Sequence, residues 1–223
     1  MDISEFDLNN LFTHTHTHNY FTDLRIAIIE GGELYTKKKN LINKITKVFT
    51  SVSSSQCIVA IAPTNKITKL YDDIIPQTFI HDEYKEEIIS RILYRQKIIM
   101  YKKIINPTTL LIMDDCITSS KFFNSNEIKT LFFEAKCYRL SWILTIRHPF
   151  DIPPLRMCNF DLIFFLDNNS LYLKKIYDYY AGMFECFEHF DNFKNTLSKA
   201  IDKYGCIVIV NKKIYYINLN HLN

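Results

Sequence analysis

Glycine is scarce in this chain, with four residues in 223: Gly31, Gly32, Gly182 and Gly205. No stretch rich in glycine, serine or proline divides the sequence, so one large domain is a better reading than two small ones. The six cysteines, Cys57, Cys116, Cys137, Cys158, Cys186 and Cys206, never form a C-x-x-C pair, which argues against a zinc site. Several lie inside apolar runs, where cysteine acts as a small core residue. No apolar run approaches the roughly 18 residues that a membrane-spanning helix needs. Met1 to Asn10 carries acids and lacks a basic-then-apolar order, so no signal peptide is expected. The net charge of +3 is too near balance to argue for or against nucleic acid. These absences point to a reduced, intracellular, soluble protein, and the 48% apolar content is ample for a core.

What is present alternates. Leu24–Ile29 is a short apolar run suited to a buried strand. Leu41, Ile42, Ile45, Val48 and Phe49 then recur at helical spacing. Further strands are expected at Gln56–Ala62, Thr109–Met113, Ser141–Ile146 and Leu162–Leu166. Helices are expected between them: one over Tyr84 to Ile105, ended by Pro107, and one marked by Ile128, Leu131, Phe132 and Ala135. Helical patterns follow at about Ser170–Ala181 and Phe187–Ile201, and Cys206–Val210 with Lys213–Asn218 reads as a C-terminal β-hairpin. Repeated strand–helix–strand units predict an α/β fold, a mainly parallel central sheet with helices on both faces. Residues 1–22 read as a low-complexity tail and 23–223 as the domain. Within the tail, Thr13-His14-Thr15-His16-Thr17-His18 alternates; it is either a solvated tract or, if extended, a row of imidazoles for a metal.

Ligands in such sheets bind beyond the carboxyl ends of the strands. The stretch Thr109 to Cys116 ends an apolar strand in Asp114-Asp115. One carboxylate at a strand tip suits Mg2+, and a second beside it suits orienting or deprotonating an attacking water. Asp114 takes the first role and Asp115 the second; an ordinary turn opening on Asp-Asp is the other reading. After the first strand, Gly31-Gly32-Glu33-Leu34-Tyr35-Thr36-Lys37-Lys38 has the frame of the phosphate-binding loop G-x-x-x-x-G-K-[ST]. Lys37 stands at the phosphate lysine. Thr36 replaces the second glycine, where a β-branched residue resists a left-handed backbone by ~1–2 kcal/mol. Lys38 replaces the Mg2+-binding hydroxyl and offers only donors. Three lysines at the start of a helix oppose its dipole, a conflict that a bound phosphate relieves. The alternative is a surface loop with lysines in water.

From about Leu24 to Val210 the chain resembles the poxvirus-type genome-packaging ATPases of large DNA viruses, in the FtsK–HerA branch of P-loop ATPases. The stretches that carry the likeness are IIPQTFIHDEY, RQKII, LLIMDDC, LTIRHPFDIPPLRMCNFDLIFF and KKIYDYYAGMF, in that order. The resemblance implies a RecA/ASCE-like P-loop NTPase fold, with ATP held at Gly31, Gly32, Thr36, Lys37 and Lys38. It implies Mg2+ at Asp114 and Asp115 as the catalytic acid. Arg147 falls where the family places a polar sensor, and Arg156 matches a motif arginine able to serve a neighbouring subunit; a structural ion pair is the other reading for Arg156. The implied partners are viral double-stranded DNA and a homo-oligomeric ring or related ATPase subunits, in the host cytoplasm (viral factory) or the virion. Thr36, Lys38 and Arg147 depart from the family at the chemistry. Three functions therefore stand open: a DNA-translocating ATPase, a non-hydrolysing assembly subunit, and a sensor that binds nucleotide without Mg2+.

Overall fold

The computed structural model describes residues 3–11, 23–30, 35–52, 56–103, 108–117, 119–147, 152–167, 169–180, 189–211 and 213–219. Its strands are β1 (Arg25–Ile29), β2 (Gln56–Ile61), β3 (Ile80–His81), β4 (Thr108–Met113), β5 (Leu140–Ile146), β6 (Leu162–Phe165), β7 (Gly205–Val210) and β8 (Lys213–Asn218). They form one sheet in the order β3-β2-β4-β5-β1-β6-β7-β8. All pairings from β3 through β6 are parallel, while β6–β7 and β7–β8 are antiparallel. The expected parallel sheet and C-terminal hairpin are therefore present. In this order β5 lies between β1 and β4, so the tips of β1 and β4 flank the tip of β5.

The helices are α1 (Tyr35–Val52), α2 (Asn65–Thr68), α3 (Glu86–Tyr101), α4 (Asn126–Glu134), α5 (Pro154–Met157), α6 (Ser170–Tyr180) and α7 (Phe190–Tyr204). Strand side chains alternate between two cores, as the two-residue period requires. On one face Ala27, Ile29, Met113, Trp142 and Leu144 pack with residues of α3, α4, α6 and α7. On the other, Ile26, Ile28, Leu110, Ile112 and Ile143 pack with Leu41, Ile42, Ile45 and Phe49 of α1. Helices thus cover both faces, as expected.

The structure departs from the sequence reading in several places. Helix α3 ends at Tyr101, with Lys102 as its C-cap and Lys103 at positive φ, so it stops short of Ile105. The pair Ile80–His81, unforeseen, adds an edge strand beside β2. Leu8 and Leu11, inside the stretch read as a tail, are fully buried in the α1-side core. Glu5 bridges to Tyr216 on β8, supported by Phe6 N donating to the Tyr216 carbonyl at 2.9 Å. The threonine–histidine tract lies outside the described residues.

Candidate functional site

The carboxyl ends of β1, β5 and β4 are brought level by parallel register, with Ile28 beside Thr145 and Met113 beside Leu144. Strands β1 and β4 each continue for one hydrogen bond past their last residue: Glu30 N donates to the Ile146 carbonyl and Asp114 N to the Ile61 carbonyl. Glu30 and Asp114 are consequently held rigidly at the sheet edge, 4% and 1% exposed. The first turn of α1 faces them. One lysine of that turn, Lys38, is buried, and its ammonium reaches both acids: 2.9 Å from Glu30 Oε2, 3.0 Å from Glu30 Oε1 and 3.0 Å from Asp114 Oδ1.

Why Lys38 and not Lys37 turns inward follows from helical geometry. Positions three, four and seven after Lys38 are Leu41, Ile42 and Ile45, all fully buried. Residues at those spacings share one helix face. Lys38 therefore extends the apolar stripe of α1 back over the sheet edge, and its side chain can end only among the strand tips. Lys37, about 100° round the helix, makes no ion pair among the described residues.

A chain of hydrogen bonds runs on from Asp114. Thr145 Oγ1 donates to Asp114 Oδ1 at 2.7 Å and accepts from Asp115 N at 2.9 Å. Asp115 itself sits at φ 59°, a left-handed conformation that aspartate tolerates better than most residues. That reversal carries its side chain away from Asp114, to where the Arg147 guanidinium pairs with its carboxylate. Asp115 and Arg147 are therefore brought together, but as an ion pair at the rim. Tyr71 lies beneath, fully buried beside Asp114; burial first, then that carboxylate, push its hydroxyl pKa well up.

The electrostatics are those of a compact buried cluster. Burial pulls the Lys38 ammonium down, but the charges of Asp114 and Glu30 outweigh it and leave its pKa above the ordinary lysine value. Glu30 is held above the usual carboxylate range because its burial outweighs the lowering by Lys38. Cys116, next in sequence, is buried and donates to the Ile61 carbonyl at 3.2 Å; burial pushes its thiol far up, so it is an unreactive core group.

Other expected site residues fall elsewhere. Gly31 and Gly32 lie outside the described residues. Thr36 belongs to the first turn of α1 and has no positive φ, so the left-handed strain expected of it is not incurred. Arg156, on α5, lies over the rings of Phe132 and Phe133, 5.4 and 4.7 Å from their centroids. The Phe132 carbonyl accepts from Arg25 at the opposite, amino end of β1. Five strand residues, about 16 Å at ~3.3 Å each, separate that end from Glu30. Arg156 is thus not joined to the acids of its own chain. Glu30 and Thr145 are the site residues that sequence reasoning missed. Their signal was visible: each is a polar residue at or just past the carboxyl end of a mainly apolar run.

The implied Mg2+ is not fitted by these residues. Its expected ligand Asp114 already spends Oδ1 on Lys38 and Thr145, and the position that would supply a hydroxyl supplies the ammonium instead. Among the described residues, no group of three or more His, Cys, Asp or Glu side chains could hold a metal ion. Nor is any helix among them long and apolar enough to cross a membrane.

No protein-family model matches the chain. Uncharacterized protein 075L of Invertebrate iridescent virus 6 is 33% identical over 210 residues, covering 94% of this chain and 79% of the viral protein. An uncharacterized protein of Acanthamoeba polyphaga mimivirus is 36% identical over 167 residues, 70% of this chain, and the match spans only 58% of the mimivirus protein. Among solved structures, the genome packaging NTPase B204 from Sulfolobus turreted icosahedral virus 2, in complex with AMPPCP, superposes with a TM-score of 0.61. It is 16% identical, over 89% of this chain and 100% of that one. B204 of Sulfolobus Turreted Icosahedral Virus, a DNA-packaging ATPase, gives a TM-score of 0.59 at 15% identity, over 87% of this chain and 98% of that one. The chain belongs to the family of large-DNA-virus proteins that includes 075L, and it is built on the fold of the viral genome-packaging NTPases.

Proposed function

We propose that this chain serves in packaging the double-stranded DNA genome of a large DNA virus, as an NTPase-fold subunit that binds nucleotide phosphates but turns them over slowly or not at all alone. The observation that carries this reading is the Lys38 ammonium seated between Glu30 and Asp114. It ties the start of α1 to the tip of β4, the two elements that hold phosphate and acid in this class of fold. The same contact places a cation where hydrolysis would need a ligand to a divalent ion. The packaging NTPase B204 was solved in complex with AMPPCP, which supports a nucleotide as the ligand of this fold here.

In this reading the residues have separate tasks. The free N–H groups of the first α1 turn, with Lys37 and Lys39 beside them, attract phosphate oxygens. Lys38 and Thr145 fix Asp114. Arg147 holds the carboxylate of Asp115 and opposes its use on water. The protein works beside related ATPase subunits or in a ring, in the viral factory or the virion.

A second reading, an active DNA-translocating ATPase, is favoured by the retained Asp114-Asp115 pair at the tip of a buried strand. One assay separates the two: ATP hydrolysis by the purified chain, with and without double-stranded DNA, against Asp115→Asn. The proposed reading expects no turnover above that variant. DNA-stimulated turnover abolished by Asp115→Asn establishes the motor. In the inactive case, Thr36→Gly with Lys38→Thr and Arg147→Gln should create measurable hydrolysis, since these restore the loop and release both acids.

A further inference from the structure

Among the described residues Lys38 is the one buried lysine. Its Nζ lies within 3.0 Å of three oxygens from two carboxylates. One of those oxygens, Asp114 Oδ1, also accepts from the Thr145 hydroxyl. Two carboxylates converging on one point, one of them also held by a hydroxyl, form the kind of hard oxygen set that holds divalent cations in nucleotide sites. The point is filled by a cation, but one that is covalently tethered. An ammonium also satisfies the geometry in its own way, with three donors directed to separate acceptors.

We infer that Lys38 is a built-in cation standing in for the divalent ion, and that this chain therefore takes nucleoside polyphosphates metal-free. An apolar residue at position 38 would continue the stripe of Leu41, Ile42 and Ile45 but would leave Glu30 and Asp114 facing each other uncompensated. A hydroxyl there would leave the two acids to a diffusing metal ion. The lysine makes the site complete at every metal concentration. Its single charge, against two carboxylates, leaves Lys37 and Lys39 to meet the phosphates, which arrive with their own charge unneutralised. The second half of this inference, the metal-free ligand, rests on the nucleotide reading above; the first half does not.

Two measurements test the halves separately, on the full chain. In the first, Mn2+ is titrated without nucleotide and followed by electron paramagnetic resonance. Wild type should show no stoichiometric Mn2+ site. Lys38→Thr should gain one, at least about tenfold tighter than any wild-type binding, and lose it again when Asp114→Asn is added. A folded Lys38→Thr that binds no Mn2+ overturns the inference, as does a wild-type site within about threefold of the variant. Should Lys38→Thr be unfolded on its own, recovery of a cooperative thermal transition on adding Mn2+ supports the inference, and failure to recover overturns it. In the second, ATP binding to wild type is compared in Mg2+ and in EDTA. Binding in EDTA should be as tight or tighter, and weakening by about tenfold or more in EDTA overturns the metal-free claim. Absence of ATP binding in both buffers, with the Mn2+ result as expected, refutes the nucleotide reading and upholds the assignment of Lys38.

Discussion

Replacing Lys38 with methionine removes the charge and keeps most of the side-chain length. It breaks two ion pairs whose side chains are no more than 8% exposed, so solvent screening offers little relief. Breaking a buried pair by deleting one partner costs roughly 3–5 kcal/mol, because the remaining charge is left uncompensated. Here two carboxylates lose the same partner. Glu30 limits the damage, since burial already favours its protonated form. A loss of ~3–5 kcal/mol is a large part of the ~5–15 kcal/mol that stabilises an ordinary domain. For a chain of this size it lowers Tm by roughly 6–20 °C. The single tryptophan, Trp142, is fully buried edge-on to Phe132 at 4.9 Å and reports the transition by fluorescence. The decisive comparison adds Glu30→Gln to each background. In wild type that change removes an ion pair and should destabilise. With Lys38→Met it removes a repulsive charge and should recover about half of the loss or more. A Lys38→Met variant within about 1 kcal/mol of wild type, or an equal effect of Glu30→Gln in both backgrounds, refutes the idea that this ammonium compensates the two acids.

At the amino ends of β1 and β6, away from the acids, Asp161 joins Arg25 and Lys136, at 3.2 and 2.6 Å. Burial alone would raise its carboxyl, but hydrogen bonds from Arg25 and Lys136 outweigh that and hold it below the ordinary aspartate range. Its contribution is therefore complete above the unfolded pKa and is lost as pH falls from about 4 downward. Asp161→Asn should lower stability at neutral pH and flatten the acid limb of the stability curve, measured by urea melts across that range. Gln96 is fully buried; its Nε2 donates to the Tyr138 carbonyl at 2.8 Å, and its Oε1 accepts from Thr109 Oγ1 at 3.0 Å. Gln96→Leu should cost about 1–3 kcal/mol in the same melts, because it strands these partners without water.

Much of the fold was legible because its signals are local. Buried parallel strands are mainly apolar runs, and the tips are marked where a run meets Glu30-Gly31, Pro63, Asp114, Arg147 or Asp167. The hairpin was legible because two runs rich in β-branched and aromatic residues flank Asn211-Lys212. Ile80–His81 was not, since two residues carry no period. Leu8 and Leu11 were not, because nothing near them in sequence shows that α1 lies above. At the site, the loop frame assigned phosphate to Lys37 and a missing hydroxyl to Lys38, and said nothing of where Lys38 would go. The answer lay in a different pattern, the stripe through Leu41, Ile42 and Ile45, which marks position 38 as inward-facing. Glu30 was passed over because it looked like the first residue of a loop, whereas the strand's hydrogen bonding continues through it.

Both margins of the sheet bear on how copies of this protein can meet. At one margin β3 is only two residues long. At the other, the backbone of β8 around Tyr216 is already engaged by Ser4 and Phe6 of the same chain. Unsatisfied strand backbone is the usual invitation to fibrillar stacking and strand exchange. Copies of this protein that met strand to strand at β8 would first have to displace the segment Ser4–Phe6 from Tyr216, which disfavours joining through that margin of the sheet.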